Sequence, residues 1–166
     1  LGYHPNRIAR GLATKKTCTI GLVITDIENP FFGSLTRYID EYVKKEGYSL
    51  ILSVSNNLLE MEEKIIFDFL GKRVDGLVLV PTLMNRADFS CFRALESHKI
   101  PLVSSTAYYP GLKCDCVMTD LREGSYRLTK YLIELGHREI LLLTSSVNSN
   151  VPSQLRVEGY KQAIQD

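Results

Sequence analysis

Short runs of apolar residues, many of them β-branched, recur along the chain and are typical of β-strands. The runs that we assign to strands are Ile20–Ile24, Leu50–Val54, Leu77–Val80, Leu102–Val103, Val117–Met118 and Ile140–Leu143. Nearly continuous apolar runs of this kind suit strands that are buried on both faces, as in a parallel sheet with helices on each side.

Between these runs, apolar residues recur at spacings of three and four, the period of an amphipathic α-helix. The pattern predicts helices over residues 31–44, 60–70, 122–135 and 155–164. Gly47, Gly71 and Gly136 fall where the first three should end, a position that glycine fills at the least conformational cost. Strand, helix and strand recur about every 25–30 residues, the size of a right-handed βαβ unit. The sequence therefore predicts an α/β fold with a doubly wound parallel sheet.

Hydroxyl side chains follow two of the predicted strands, at 104–106 and at 145–146. An open α/β sheet binds its ligands at the carboxyl ends of its strands, so these positions are candidate ligand contacts. The sequence has no glycine-rich phosphate-binding motif and no G-x-S-x-G around these serines. His4 and His98 have no evident acid or nucleophile partner, and we expect His137 to cap a helix end. These features predict a binding protein, with no catalytic residue, cofactor or metal.

The composition is that of an ordinary globular protein: 166 residues, 45% of them hydrophobic and 23% charged, with a net charge of +1. No apolar run approaches the ~20 residues of a membrane-spanning helix, and the N-terminus shows no signal-peptide pattern. The cysteines at 18, 91, 114 and 116 include no C-x-x-C pair, which favours reduced thiols over zinc or disulfides. We therefore expect a cytoplasmic location and no membrane partner.

The first 25 residues carry basic side chains and no acidic one. The basic residues are Arg7, Arg10, Lys15 and Lys16, and the first carboxylate belongs to Asp26. Four cations in such a segment could arise by chance, but the absence of acids indicates an anionic partner.

Residues 5–12 read as a short helix that starts at Pro5, a residue suited to the first helical position. Ile8 and Leu12 share one face of it. A helix of about eight residues is unstable alone in water. The segment is therefore either a frayed leader or a helix that folds on a polyanion and inserts an apolar wedge. We expect residues 1–14 to be poorly ordered when no such polyanion is bound.

An ordered set of motifs along the whole chain resembles the LacI/GalR (lactose-repressor-like) family of bacterial transcription regulators. The motifs are LGYHPNRIARGL at 1–12, IGLVI at 20–24, DIENPFF at 26–32, RVDGL at 73–77, Asp120 with Gly124, LGHREI at 135–140, and Arg156 with Gly159 and Tyr160. They occur in the family's order and at about its spacings. The resemblance implies a hinge helix joined to an effector-sensing core with the type I periplasmic-binding-protein-like fold.

The resemblance also implies a division of the chain. Residues 1–16 would be the hinge helix and linker, 17–119 the N-terminal lobe of the sensor, and 120–166 the start of its C-terminal lobe. A helix-turn-helix DNA-binding domain would precede this sequence. The implied function is a ligand-responsive regulator, a repressor that binds a DNA operator as a homodimer and senses a small molecule such as a sugar or a nucleoside. The alternatives are a periplasmic-type solute-binding protein of the same fold, which would lack the hinge, and an α/β enzyme.

Matching positions in the family assign DNA contacts to the hinge. Leu12 matches the leucine that wedges into the minor groove, and Asn6 and Ala9 match neighbouring positions that face DNA. The alternative for Leu12 is packing against the sensor body.

Effector contacts are carried over in the same way. Phe31 and Phe32 match aromatic residues that line the effector cleft in some members, although they could instead start the core face of a helix. Arg156 matches an arginine that contacts effector, and its alternative is a salt bridge on the helix surface. The guanidinium offers a fixed fork of donors that suits paired hydroxyls or a carboxylate.

Two positions depart from the pattern of sugar-binding members. Thr106 stands where those members have an acidic residue, and Val80 replaces a polar cleft residue, although Thr82 lies nearby. We include Thr82 and Thr106 among the candidate effector contacts. Without the acidic residue, the effector class stays open.

Overall fold

A five-stranded parallel sheet forms the centre of the computed structural model, which describes residues 16–145 and 150–166. The strands are β1 (Thr19–Ile24), β2 (Ser49–Val54), β3 (Gly76–Leu79), β4 (Leu102–Ser105) and β5 (Asp115–Val117), in the order β2-β1-β3-β4-β5. The helices are α1 (Pro30–Lys45), α2 (Leu59–Gly71), α3 (Ser90–Ser97), α4 (Leu121–Glu134) and α5 (Val151–Gln165). The predicted α/β fold with a parallel sheet is confirmed.

Strand β1 alternates its side chains between two apolar cores. Leu22 and Ile24 lie on one face of the sheet, packed against α1, and Val23 lies on the other, packed with α2 and α3. The helical partners are Phe32, Leu35 and Ile39 on the first face, and Ile66, Phe69, Phe92 and Leu95 on the second. Because the side-chain period of a strand is two, apolar residues at successive positions cover both faces.

The predicted helix ends are confirmed at all three glycines, but only Gly47 and Gly136 adopt the left-handed conformation. Gly47 and Gly136 have φ of 81° and 92° and follow α1 and α4, and the backbone N–H of His137 bonds back into the last turn of α4. This is the left-handed C-terminal cap that glycine favours. Helix α2 ends at Gly71, but the left-handed residue after it is Arg73, with φ of 54°.

The strand predicted for residues 140–143 is wrong. No described residue pairs with this segment, and Leu141 and Leu143 are 83% and 85% exposed. A strand needs a neighbour to satisfy its backbone hydrogen bonds, and an apolar run alone does not supply one. Helix α3 was not predicted, since its eight residues give only two turns of periodic signal.

Helices α4 and α5 pack closely, because Gly159 of α5 lies against the backbone of α4. A Cβ atom at Gly159 would lie 2.1 Å from the carbonyl oxygen of Arg122. The hydroxyl of Ser125 donates to the carbonyl oxygen of Arg156 at 2.7 Å, and that of Tyr160 donates to the carbonyl oxygen of Ile140 at 2.8 Å. These contacts fix α5 at the edge of the fold that the candidate site occupies.

The hinge predictions for Asn6, Ala9 and Leu12, and the expected order of residues 1–14, lie outside the described residues. In the part of the chain that the structure does describe, no helix is both long and apolar enough to cross a membrane.

Candidate ligand-binding cleft

A cleft of about 570 Å³ opens at the carboxyl edge of the sheet. One wall comes from the ends of β1, β3, β4 and β5 and the start of α1, and the other from the start of α5. Its lining includes six candidate ligand contacts that the sequence singled out: Phe31, Phe32, Ser105, Thr106, Ser145 and Arg156. Open parallel sheets bind small molecules at this edge.

Hydroxyl groups line the floor of the cleft. Thr25 follows β1 and Ser105 ends β4, and they are only 5% and 8% exposed. Neither hydroxyl forms a hydrogen bond with any described residue, whereas the Ser104 hydroxyl donates to the carbonyl oxygen of Ala107 at 2.6 Å and closes the turn after β4. Sequence reasoning missed Thr25, although the rule that selected 104–106, a hydroxyl at a strand's carboxyl end, applies to it equally.

Thr106 lines the cleft in a strained backbone conformation. Its φ is 68°, and its backbone N–H donates to the carbonyl oxygen of Val117 at 2.8 Å. A β-branched residue in the left-handed region costs roughly 1–3 kcal/mol and persists where its surroundings impose it. This strained residue lies in the wall of the cleft. Strained backbone conformations of this kind cluster at functional sites.

Phe31 and Phe32 occupy the first turn of α1, which begins at Pro30. Asn29 caps this turn, its Oδ1 accepting from the N–H of Phe31 at 3.0 Å. The two rings meet edge to face, with centroids 5.3 Å apart. Phe31 is 57% exposed, whereas Phe32 also packs against the core beneath α1. The two predicted roles, lining the cleft and packing in the core, are therefore both seen: Phe32 packs in the core and also lines the cleft, whereas Phe31 presents its ring to the cleft.

Arg156 reaches the cleft from the second turn of α5 and is exposed. Its guanidinium forms no ion pair with any residue in 16–145 or 150–166, so the surface salt bridge is not seen there. Asn150 caps α5, with Oδ1 accepting from the N–H of Ser153 at 2.9 Å, and the Ser145 and Ser153 hydroxyls lie 2.6 Å apart.

Thr82 does not line the cleft, contrary to the prediction. It is 2% exposed, and its N–H and hydroxyl both donate to Oε2 of Glu62 at 2.8 Å. Val80, the residue directly after β3, lines the cleft instead. A hydroxyl committed to a buried carboxylate has no free donor for a ligand.

Glu62 is the centre of a buried polar network that sequence reasoning missed. Its side chain is fully buried and accepts from Nη2 of Arg86 at 3.0 Å and from the hydroxyl of Tyr109 at 2.9 Å. Burial raises the pKa of Tyr109, and the Glu62 carboxylate raises it further. The available signal was the spacing of Glu62 to Ile66 and Phe69, which puts a carboxylate on the apolar face of α2. The network fixes the loops after β3 and β4, whose near ends line the cleft.

A parallel sheet with an aromatic, hydroxyl-rich cleft at its carboxyl edge defines a small-molecule-binding α/β domain. Residues 17–166 match the family described as periplasmic binding proteins and sugar binding domain of LacI family. The chain belongs to this family, as the sequence resemblance implied.

Individual relatives are transcription regulators. The chain is 32% identical over 168 residues to the ribose operon repressor of Haemophilus influenzae, and 30% identical over 164 residues to catabolite control protein A of Priestia megaterium. These alignments cover 100% and 99% of this chain and 48% of each relative, so the chain spans about half the length of the curated relatives it matches. The crystal structure of the transcription regulator CcpA of Lactococcus lactis aligns with a TM-score of 0.77 at 28% identity, covering 89% of this chain and 53% of that one.

Proposed function

We propose that the full-length protein is a ligand-responsive, DNA-binding transcription regulator that acts as a repressor. The family match over residues 17–166 carries this proposal, and regulator relatives matched along the whole of this chain support it over a solute-binding protein. A DNA-binding role places the protein in the bacterial cytoplasm.

The proposal divides the chain at the cleft. Residues 17–119 form most of one lobe and supply Phe31 and Thr106, and 120–166 begin the second lobe and supply Arg156. A ligand held between the lobes favours one relative arrangement of them. It can shift that equilibrium only by the difference in its affinity for the two arrangements.

The proposed effector is a small molecule such as a sugar or a nucleoside. The exposed ring of Phe31 can stack on an apolar ring face, while Arg156 and Thr106 supply polar contacts. We omit Thr82 from this set because Glu62 occupies both of its donors.

The proposed DNA element is a pair of hinge helices contributed by a homodimer. In each copy Leu12 would wedge into one base step of the minor groove, with Asn6 and Ala9 beside it. Unstacking such a step costs a few kcal/mol, which the contacts made by the bent DNA offset.

The function is tested on the full-length gene product. Operator fragments are selected from genomic DNA, and their affinity is then measured with and without candidate effectors at fixed salt, since salt alone changes affinity strongly. We expect specific binding that an effector shifts. Only weak, sequence-independent DNA binding would reject the regulator and favour the solute-binding alternative.

Arg156→Ala tests the effector site. Losing a hydrogen bond to a charged group costs about 1.5–3 kcal/mol, so about tenfold or more effector should be needed for the half-maximal response. Lys161→Ala, on the same helix outside the cleft, is the matched control. A loss of operator affinity with unchanged effector affinity would show that Arg156 is structural.

Leu12→Ala tests the hinge. We expect operator binding to weaken several-fold and DNA bending to decrease, with little change in the salt dependence, because phosphate contacts are untouched. If Leu12 packs against the sensor body instead, the melting temperature falls and bending is unchanged. A bending assay and a thermal melt of the same variant separate the two outcomes.

A further inference from the structure

Two loops at the carboxyl edge of the sheet are joined through one buried carboxylate. They are the β3–α3 loop (residues 80–89) and the β4–β5 loop (residues 106–114). The Thr82 hydroxyl of the first loop donates to Oε2 of Glu62 at 2.8 Å, and the Tyr109 hydroxyl of the second lies 2.9 Å from both oxygens of the same carboxylate. Glu62 belongs to helix α2, so the helix bridges the two loops.

The residues that bond to Glu62 also face the first turn of α5. A small cavity of about 30 Å³ lies between the loops and this turn, lined by Thr82 and Tyr109 on one side and by Val151 and Pro152 on the other. A cavity of that size holds about one water molecule, so the two sides are almost in contact. Val151 is only 7% exposed. In the proposed division of the chain, this is where the start of the second lobe meets the first.

Both loops also contribute to the cleft. Pro81 and Leu83 of the β3–α3 loop line it, as do Thr106 and Ala107 of the β4–β5 loop. Thr106 has the left-handed conformation, which a β-branched residue keeps only where its surroundings impose it. The Tyr109 hydroxyl anchors the same loop three residues further on.

The kind of contact at Glu62 indicates what the network does. A buried ion pair such as Glu62–Arg86 is a weak source of net stability, since apolar residues of the same volume often do as well or better. Its hydrogen bonds differ from apolar contacts in that each has a defined length and direction. Because the donors include Thr82 and Tyr109, these bonds set the position of one loop relative to the other.

We propose that Glu62 and Tyr109 are positioning residues of the cleft. The carboxylate ties the β3–α3 loop to the β4–β5 loop and holds both in the arrangement that meets the first turn of α5. Neither side chain lines the cleft, so both act through the loops. This inference rests on the proposed ligand-sensing function, because loops that are already ordered spare a ligand the free energy of ordering them.

Tyr109→Phe tests the proposal because it removes only the anchoring hydroxyl. The ring keeps its packing against Phe89 and Phe92, whose centroids are 6.3 and 6.1 Å away. Ile66→Val is the matched control. Ile66 lies on the same helix as Glu62, in the apolar core, and losing one methylene there costs about as much stability as losing one hydrogen bond. A change that merely loosens the fold should therefore behave like Ile66→Val.

Thr82→Val is a second test variant, from the other loop. It replaces the hydroxyl that donates to Glu62 by a methyl group and keeps the backbone N–H bond to the same carboxylate. Circular dichroism and urea unfolding of each variant check that the fold is intact and that the losses of stability are comparable.

Amide exchange of the full-length gene product, followed by mass spectrometry without ligand or DNA, measures the positioning directly. In Tyr109→Phe, both loops and residues 150–154 should exchange about fivefold faster or more, while β1 and β2 stay within about twofold of the wild type. Thr82→Val should accelerate the same three segments. Ile66→Val should leave all three within about twofold of the wild type.

Exchange that is unchanged or uniformly faster in both test variants, or equally fast in Ile66→Val, would overturn the inference. Acceleration confined to the mutated loop would also overturn it, because the bridge between the loops would then be absent. Operator binding is measured on the same samples. Specific operator binding with uniform exchange leaves the proposed regulator standing while this inference fails, and regional exchange in a protein without specific DNA affinity gives the reverse result.

Discussion

Breaking the buried pair of Glu62 and Arg86 should destabilise the protein more than breaking any exposed ion pair described here. Their side chains are 0% and 4% exposed, and Nη2 of Arg86 lies 3.0 Å from Oε1 of Glu62. Thr82 and Tyr109 complete the carboxylate's hydrogen bonds, and the guanidinium lies over the rings of Phe92 and Tyr109. Arg86→Met fills a similar volume but leaves the carboxylate buried without its cation.

Removing one partner of a buried ion pair costs about 3–5 kcal/mol, because the other charge is left uncompensated in a medium of low polarity. A single domain has roughly 5–15 kcal/mol of stability in total, so the loss is a large share of it. Glu62→Gln should cost a similar amount by leaving the Arg86 cation buried. The double variant should lose about 2–3 kcal/mol less than the sum of the single losses, because neither charge is then left behind.

Urea unfolding followed by circular dichroism measures the three losses, and amide exchange of Thr82 reports on the network itself. The Thr82 N–H donates to Glu62 at 2.8 Å, so its exchange should accelerate in both single variants. Arg127→Met is the control, since the Arg127–Glu123 pair is 78% and 50% exposed and contributes at most about 0.5 kcal/mol. Single losses below about 1 kcal/mol that simply add in the double variant would refute the reasoning.

Two further predictions concern packing and thiol chemistry. Gly159→Ala should lower the free energy of unfolding by about 1–3 kcal/mol, because its Cβ would meet the Arg122 carbonyl oxygen at 2.1 Å. Gly124→Ala in α4, where a Cβ meets nothing within 4 Å, should raise the free energy of unfolding by about 0.5–1 kcal/mol. Thermal melts with the opposite signs would contradict this packing. Burial raises the pKa of the Cys91 thiol to about 11, so only about one Cys91 side chain in a thousand is a thiolate at pH 8. Mass spectrometry after iodoacetamide treatment should therefore find the exposed Cys18 labelled and Cys91 unmodified until the protein unfolds. Equal labelling of both cysteines in the native protein would rule this out.

The strands and long helices could be predicted because each follows a local pattern. The apolar run at 140–143 shows the limit, since it has the composition of a strand but no described neighbour to pair with. Pairing is a non-local property that composition does not encode.

The site could be predicted in part for a similar reason. Thr106 and Arg156 came from motif positions, and both line the cleft. Thr82 did not, because the direction of its side chain depends on Glu62, twenty positions away, whose burial is set by tertiary packing. Thr25 was within reach of the strand-end rule and was overlooked.

The alternation of β1 has a consequence for how the molecule opens. Since Leu22 and Val23 belong to opposite cores and β1 pairs with both β2 and β3, neither face of the sheet can loosen without disturbing the other. The three strands should therefore exchange their amide hydrogens as one cooperative unit. Helices α4 and α5 pack mainly on each other and form a second unit. A molecule that contacts Thr25 and Arg156 together touches both units, so its binding should slow amide exchange in both.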